Sequence, residues 1–313
     1  MGSLSGLYNL IDAEKTGDEK AISLAMEGLT EKHRELLETS QVNATFLVKE
    51  EVYSKVIEGA EKVMCMRDVM KPMTFKMPTP SYRFIVKMTD TSRVLPEVPA
   101  TAEYSVAPNQ SYKEVTFTAK KYGELPSIEE ELISDAMFDI VEMRLREIGT
   151  VAENTLNQKC IDMVIGNAAN GSTWSSSTPI ASMVPGVEQM KKDGFYPDTL
   201  ILSAAAEGDL FADPHFRYEY SGETGNFRTA EIGTKILGMK PYLLTTASTN
   251  ASWGEAGGVL AVILDSSKLG GLGMRQDIEI EKFDEPKNDL LNLKISTRFD
   301  VQAFNGKAAF NFS

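Results

Sequence analysis

The chain has 313 residues with a formal net charge of -13, 42% apolar residues and 25% charged ones, the balance of a folded globular protein rather than a disordered one. That acidity argues against a tight grip on nucleic-acid phosphates, whose affinity comes mostly from Lys and Arg displacing counterions. Two cysteines, Cys65 and Cys160, are too few for a disulfide scaffold, no apolar run approaches the ~20 residues that cross a bilayer, and the first residues lack a secretory pattern, so folding in a cytoplasm is expected.

Residues 18–38 carry Ile22, Ala25, Leu29, Leu36 and Leu37 among many charges, a thin apolar stripe that predicts a helical arm in need of a partner surface. A second helix over 49–70 follows from Val52, Val56, Ala60 and Val63 at helical spacing and stops near Pro72. Its neighbours Met64, Met66, Met70, Met73 and Met77 read as irregular core filler rather than as soft metal ligands. Strands are predicted over 82–88 and 112–119, the second alternating Val115, Phe117 and Ala119 with Glu114, Thr116 and Thr118, as two legs of a hairpin. Between them, 89–111 holds Pro96, Pro99 and Pro108 with Arg93, Glu97 and Glu103. It is far longer than a tight turn and too polar to be buried, an arm for which a compact monomer has no use.

Ser127 and Glu130 match a capping box, and Glu129, Glu130 and Glu131 suit the positive end of a helix dipole. Apolar residues from Leu132 to Val164 then recur at threes and fours, predicting a helix over 127–165 that stops at Gly166 and Asn167. Unbroken, it is roughly 58 Å long at 1.5 Å per residue, with Gly149 the candidate kink, and it must run along an elongated subunit as a spine. The Gly, Ser, Thr and Asn of 167–179 mark a domain boundary. Beyond it come a helix at 184–192, a strand at 199–203, a helix at 204–212 ended by Pro214, a polar Gly-rich loop at 220–233, and a fully covered strand at 259–264 followed by Asp265. Gly270, Gly271 and Gly273 read as a turn. A strand over 291–303, about twice the usual length, alternates Leu293, Ile295, Phe299 and Val301 with Lys294, Ser296, Arg298 and Asp300. It is expected to pair with 278–283 on one side and, through an Asn305-Gly306 turn, with a last strand at 308–312.

Four stretches then carry a resemblance: 120–167 (KKYGELPSIEEELISDA through VIGN), 196–211 (YPDTLILSAAAEGDLF), 236–248 (ILGMKPYLLTTAS) and 258–283 (GVLAVILDSSKLGGLGMRQDIEIEKF). In this order the chain resembles, over nearly all its length, the Hong Kong 97-type major capsid proteins of tailed double-stranded DNA viruses. The resemblance implies an α+β fold with an N-terminal arm at 1–45 and an extended β-hairpin loop at 75–122. It further implies a peripheral domain at 46–74, 123–179 and 273–313 holding the spine helix, and an axial domain at 180–272. It implies self-assembly into pentamers and hexamers of an icosahedral shell that encloses DNA without gripping it, inside a virion assembled in the host cytoplasm. Scaffold, portal and decoration proteins are the implied partners; no membrane, cofactor, metal or catalytic residue is. Arg93, Glu97, Glu103, Lys113, Arg144 and Arg298 are the candidate interface residues. Starting at Met1, the chain is expected to have lost no large N-terminal segment. Some relatives weld subunits through a lysine-asparagine isopeptide bond promoted by a glutamate. Lys87 or Lys113 and Asn288 or Asn292 stand near the matching positions here, but Ser296 and Thr297 stand where the glutamate should be, so no weld is expected.

Two rival readings remain. A soluble enzyme needs a nucleophile, base or metal cage, and the chain offers His33, His215 beside Asp213, and a glycine cluster with neither a Walker nor a dinucleotide spacing. The sequons at Asn43, Asn170 and Asn250 are weak in a cytoplasmic protein. An encapsulin-like compartment shell resembles the same fold, and the contents of the particle, DNA or cargo enzyme, distinguish it.

Overall fold

The computed structural model describes residues 10, 44–87, 112–129, 138–213, 235–246, 252–255, 258–285 and 290–313. The arm helix of 18–38, the hairpin tip with Arg93, Glu97 and Glu103, the loop at 220–233, both histidines and Asn288 lie outside the described residues. Helices and strands alternate as α+β. The first half runs α1 (Ala44–Glu61), α2 (Met66–Val69), a 3-10 turn (Lys71–Met73), β1 (Thr74–Lys76), β2 (Ser81–Lys87), β3 (Tyr112–Thr118), β4 (Lys120–Glu124), β5 (Ser127–Glu129) and α3 (Phe138–Asn167). The second runs β6 (Asn170–Ser172), α4 (Pro179–Lys192), β7 (Thr199–Leu202), α5 (Ala204–Ala212), β8 (Lys240–Leu243), β9 (Ala261–Leu264), β10 (Gly270–Glu285), β11 (Leu290–Ala303) and β12 (Ala309–Phe312). Contacts divide the chain into two compact units, Met1–Met64 with Tyr122–Asn154 and Ile278–Thr297, and Cys65–Lys121 with Thr155–Asp277 and Arg298–Ser313.

In the first unit, α1 packs on α3 through Val56, Ala60, Leu145 and Ile148, joined by Ile278 of β10 and Ile295 of β11. α3 continues through Gly149, which is where α1 comes close. A Cβ on Gly149 would stand 1.9 Å from the Val56 carbonyl oxygen, and one on Gly59 would stand 2.0 Å from that of Arg146. Bare backbone on both helices permits this approach. Thr150 Oγ1 donates to the Gly59 carbonyl at 3.1 Å, and Lys55–Glu142 (3.1 Å) and Arg146–Glu58 (3.2 Å) ion pairs flank the crossing.

The capping-box pattern at Ser127 does not start a helix. Ser127, Ile128 and Glu129 pair antiparallel with Asn292, Leu291 and Leu290 of β11, and among the described residues α3 begins at Phe138. A capping box acts only if the residues after it take helical dihedrals; here a strand partner engages the same backbone instead. The strand order in this sheet is β1-β10-β11-β4, with β5 also on β11.

In the second unit a five-stranded sheet runs β6-β12-β9-β7-β8. All four residues of β7 (TLIL) and of β9 (AVIL) are buried, as an apolar run covered on both faces requires. β12 corrects the expected hairpin with β11: it runs parallel to β6 and antiparallel to β9. Asn305 is extended at φ -141°, so no tight Asn-Gly turn forms, and a 3-10 turn over Gly306–Ala308 redirects the chain. Gly306 is needed there because a Cβ would stand 2.1 Å from the Asn167 carbonyl oxygen. Cys65 and Cys160 are buried thiols.

The glycine cluster is not a turn either, for Gly270, Gly271 and Gly273 lie within β10. A Cβ at Gly271 would meet the Phe304 ring at 2.8 Å, and one at Gly273 the Met77 sulfur at 2.7 Å. The missing side chains make room for the aromatic layer under the hairpin. The helix expected over 49–70 is interrupted after Glu61, and the Met66 N–H donates to Asn157 Oδ1 of α3 at 3.0 Å, which fixes the start of α2.

Candidate assembly surface

β2 and β3 form a two-stranded sheet of their own, in antiparallel register from Ser81 opposite Thr118 to Lys87 opposite Tyr112. Period-two alternation sends Tyr82, Phe84, Val86, Val115 and Phe117 to one face, where they meet Met73, Phe75, Met77 and Phe304. The ring of Phe117 stands edge-on to Phe75 at 5.0 Å, and Phe84 stacks on Phe304 at 5.2 Å. An isolated hairpin is marginal in water, so this aromatic layer is what holds the ribbon. Its base is tied further by the Thr118 N–H donating to Asp300 Oδ2 at 2.7 Å.

The other face is open. Ile85 is 69% exposed and Tyr112 63% exposed, beside an exposed Arg83–Glu114 ion pair at 3.2 Å. Ile85 faces Glu114 and Tyr112 faces Lys87 in the register, so the two apolar side chains are diagonal neighbours at the far end of the ribbon. Neither was among the residues singled out from the sequence; the signal was an isoleucine at an outward position of β2.

Of those singled out, Lys113 occupies the inner register position opposite Val86, and its Nζ donates to the Phe304 carbonyl at 3.2 Å. Arg144 lies on the exposed side of α3, paired with Glu147 at 3.4 Å, in the first unit. Arg298 of β11, in the second unit, has a buried Nε with no hydrogen-bond partner among the described residues. Arg93, Glu97 and Glu103 lie outside the described residues.

A second exposed feature surrounds the end of α4. Tyr196, 72% exposed, follows the buried Phe195, and Lys268 Nζ lies 5.5 Å from the Phe195 ring and 5.9 Å from the Tyr196 ring. Nearby, Asp193 is held below the usual carboxylate range by a hydrogen bond from the Gln189 amide and by Lys307 at 3.2 Å. Burial raises the Glu207 carboxyl on α5. Among the described residues no group of three or more His, Cys, Asp or Glu could hold a metal ion, and no helix is long and apolar enough to cross a membrane. Asp213 is buried after α5, and Glu129, read as a first-turn acid, lies in β5.

Several solved structures share the fold. One from Mycobacterium phage Bobi is 17% identical with a TM-score of 0.52, over 78% of this chain and 89% of that one. The capsid of Cyanophage P-SCSP1u is 12% identical with a TM-score of 0.56, over 77% and 85%. A virus-like particle from Pyrococcus furiosus is 12% identical with a TM-score of 0.58, over 84% and 98%. No curated protein matches the chain by sequence. These likenesses speak for the Hong Kong 97-like fold, and the sequence itself goes further: residues 112–311, from β3 into β12, match the family described as phage capsid protein. Because that match takes in well over half of the sequence, the chain belongs to the phage capsid protein family.

Proposed function

We propose that this chain is the major subunit of an icosahedral viral head, assembling through pentamers and hexamers into a closed shell around a double-stranded DNA genome. One observation carries the reading: the β2-β3 ribbon is anchored by aromatic rings on one face and leaves Ile85 and Tyr112 exposed on the other. A ribbon held this firmly while presenting apolar side chains outward gains burial from a neighbouring subunit. In this reading 75–122, which includes the ribbon, is the extended loop, 1–45 the arm, 46–74, 123–179 and 273–313 the peripheral domain, and 180–272 the axial domain. Arg93, Glu97, Glu103, Lys113, Arg144 and Arg298 then sit at or near subunit contacts. Scaffold, portal and decoration proteins bind the outside or inside of the shell, and assembly takes place in the host cytoplasm. The part is structural rather than catalytic, and with a net charge of -13 the shell confines DNA without gripping it.

The test is electron microscopy of the purified chain beside a variant lacking residues 89–111. Closed shells from the intact chain, and a folded variant that forms none, are the expected pair. Normal shells from the deletion overturn the assignment. The likeness to the Pyrococcus furiosus particle keeps a cellular compartment as the second reading, and a cargo enzyme in place of DNA inside the particles would select it.

A further inference from the structure

The end of α4 is built to hold one aromatic side chain out in solvent. The helix closes at Lys192, Gly194 takes φ 82°, the Gly194 N–H donates to the Lys191 carbonyl, and the Phe195 N–H reaches back to the Met190 carbonyl at 2.9 Å. This is a glycine-terminated stop that tucks in the next apolar residue, and Phe195 is indeed buried. Tyr196 then projects, yet its backbone is clamped. Its N–H donates to Asp265 Oδ2 at 3.2 Å, while Asp198, two residues on, accepts from the Ser266 N–H at 2.9 Å and from the Ser266 hydroxyl. Asp265 also accepts from the N–H and hydroxyl of Ser267, so the 195–198 and 265–268 loops are braced to each other by two carboxylates.

A tyrosine on a rigid support loses little conformational freedom on binding, which is the property of an interface anchor. We infer that Tyr196 and the braced loops beneath it form a contact with a second copy of this chain, a conclusion that rests on the shell-forming function proposed above. Charge decides between a copy and DNA as the occupant. Lys268, whose Nζ lies 5.9 Å from the ring, is matched within the chain by Asp265 at 3.8 Å, and on the flanking segments Lys192 is matched by Glu188 at 2.9 Å and Lys307 by Asp193 at 3.2 Å. Phosphate binding needs cations that are not already matched, whereas a copy of net charge -13 docks best where the local charge is balanced and like charges do not face each other.

The experiment uses the full chain, its Tyr196→Ala variant and its Tyr196→Phe variant, with closed particles counted by electron microscopy. Tyr196→Ala is expected to cut the yield of closed shells at least tenfold while the unassembled subunit keeps its circular dichroism, and Tyr196→Phe to keep most of it. A second reading needs no variant. Nitration of Tyr196 by tetranitromethane, followed by peptide mass spectrometry, should be at least tenfold slower in shells than in subunits. Wild-type yield from Tyr196→Ala, or equal nitration in shells and subunits, overturns the inference and leaves the shell-forming function standing. Normal shells that hold less DNA would overturn it in favour of a DNA contact. If the unaltered chain forms no shells, the proposed function falls and takes this contact with it.

Discussion

Replacing Gly149 by alanine sets two physical effects against each other. An alanine in a helix interior is favoured over glycine by about 1 kcal/mol, so helix propensity alone predicts a more stable protein. Packing predicts the reverse. The new Cβ would stand 1.9 Å from the Val56 carbonyl oxygen, 2.8 Å from its carbon and 3.0 Å from the Ala60 nitrogen, all backbone atoms that cannot rotate away. Lifting that oxygen just to 3.0 Å requires α1 and α3 to part by about 1 Å at the crossing, which loosens Val56, Ala60, Leu145 and Ile148 together. Overpacking of this kind typically costs about 1–3 kcal/mol, and a backbone obstacle puts it at the upper end or beyond, so after the propensity gain of about 1 kcal/mol the net effect is a loss of about 2 kcal/mol or greater. Thermal unfolding of the unassembled subunit followed by fluorescence should show a midpoint several degrees below the parent. Gly59→Ala, whose Cβ meets the Arg146 carbonyl oxygen at 2.0 Å, should behave alike. A midpoint equal to or above the parent for Gly149→Ala would refute the backbone-contact account and leave propensity in charge.

Leu237 holds φ 50° in the two-residue turn between Ile236 and Met239, where left-handed backbone favours asparagine, so Leu237→Asn should raise the unfolding midpoint, corresponding to about 0.5–1 kcal/mol. A lower midpoint would mean that its half-exposed side chain matters more than the backbone. Asp193 has a depressed folded pKa, so it stabilises the fold above the ordinary carboxylate value and this is lost as pH falls through the folded one. Asp193→Asn should therefore unfold below the parent at pH 7, with the gap closing under about pH 4; a gap that widens in acid contradicts the sign. Particles boiled in detergent under reducing conditions should run as a single band near 34.5 kDa, because the buried Ser296 and Thr297 supply no carboxyl for an isopeptide bond and Lys113 is engaged by the Phe304 carbonyl. A ladder of covalent oligomers would sink that account.

Where local pattern and tertiary partner agree, the sequence was a sufficient guide. α5 stands where the sequence places a helix over 204–212, the ribbon follows from the alternation around Val115 and Phe117, and β11 from alternation sustained well past ordinary strand length. The failures share one cause. A capping box at Ser127, an Asn-Gly pair at Asn305 and a glycine cluster at 270–273 are local signals whose outcome depends on what stands opposite: a β11 edge, the end of α3 or the Phe304 ring. Glycine is the most ambiguous of these letters. It marks a turn, a kink or a close approach with the same symbol, and the choice is made by a neighbour distant in sequence.

The surface for assembly was the least legible part, and the chemistry explains why. An enzyme site announces itself through convergent polar residues, so the eye goes to charge, as it did to Arg93, Glu97, Glu103, Lys113, Arg144 and Arg298. Yet charges at the rim of an interface mainly steer and select, whereas aromatic and large apolar groups at its centre carry the affinity. Of those charges that the structure describes, Lys113 is engaged by the Phe304 carbonyl and Arg144 by Glu147, while Arg298 has a buried Nε without a partner among the described residues. Ile85, Tyr112 and Tyr196 are among the exposed large apolar and aromatic groups that lose water on contact. Their meaning depends on a second fact that sequence alone does not carry: the opposite face of the same ribbon, or the residue just before, is already buried. An exposed isoleucine on a loose strand is ordinary, but one on a strand pinned from behind by Phe84 and Phe304 is held at a fixed place, and a fixed apolar group in water is what a shell subunit has to offer its neighbour.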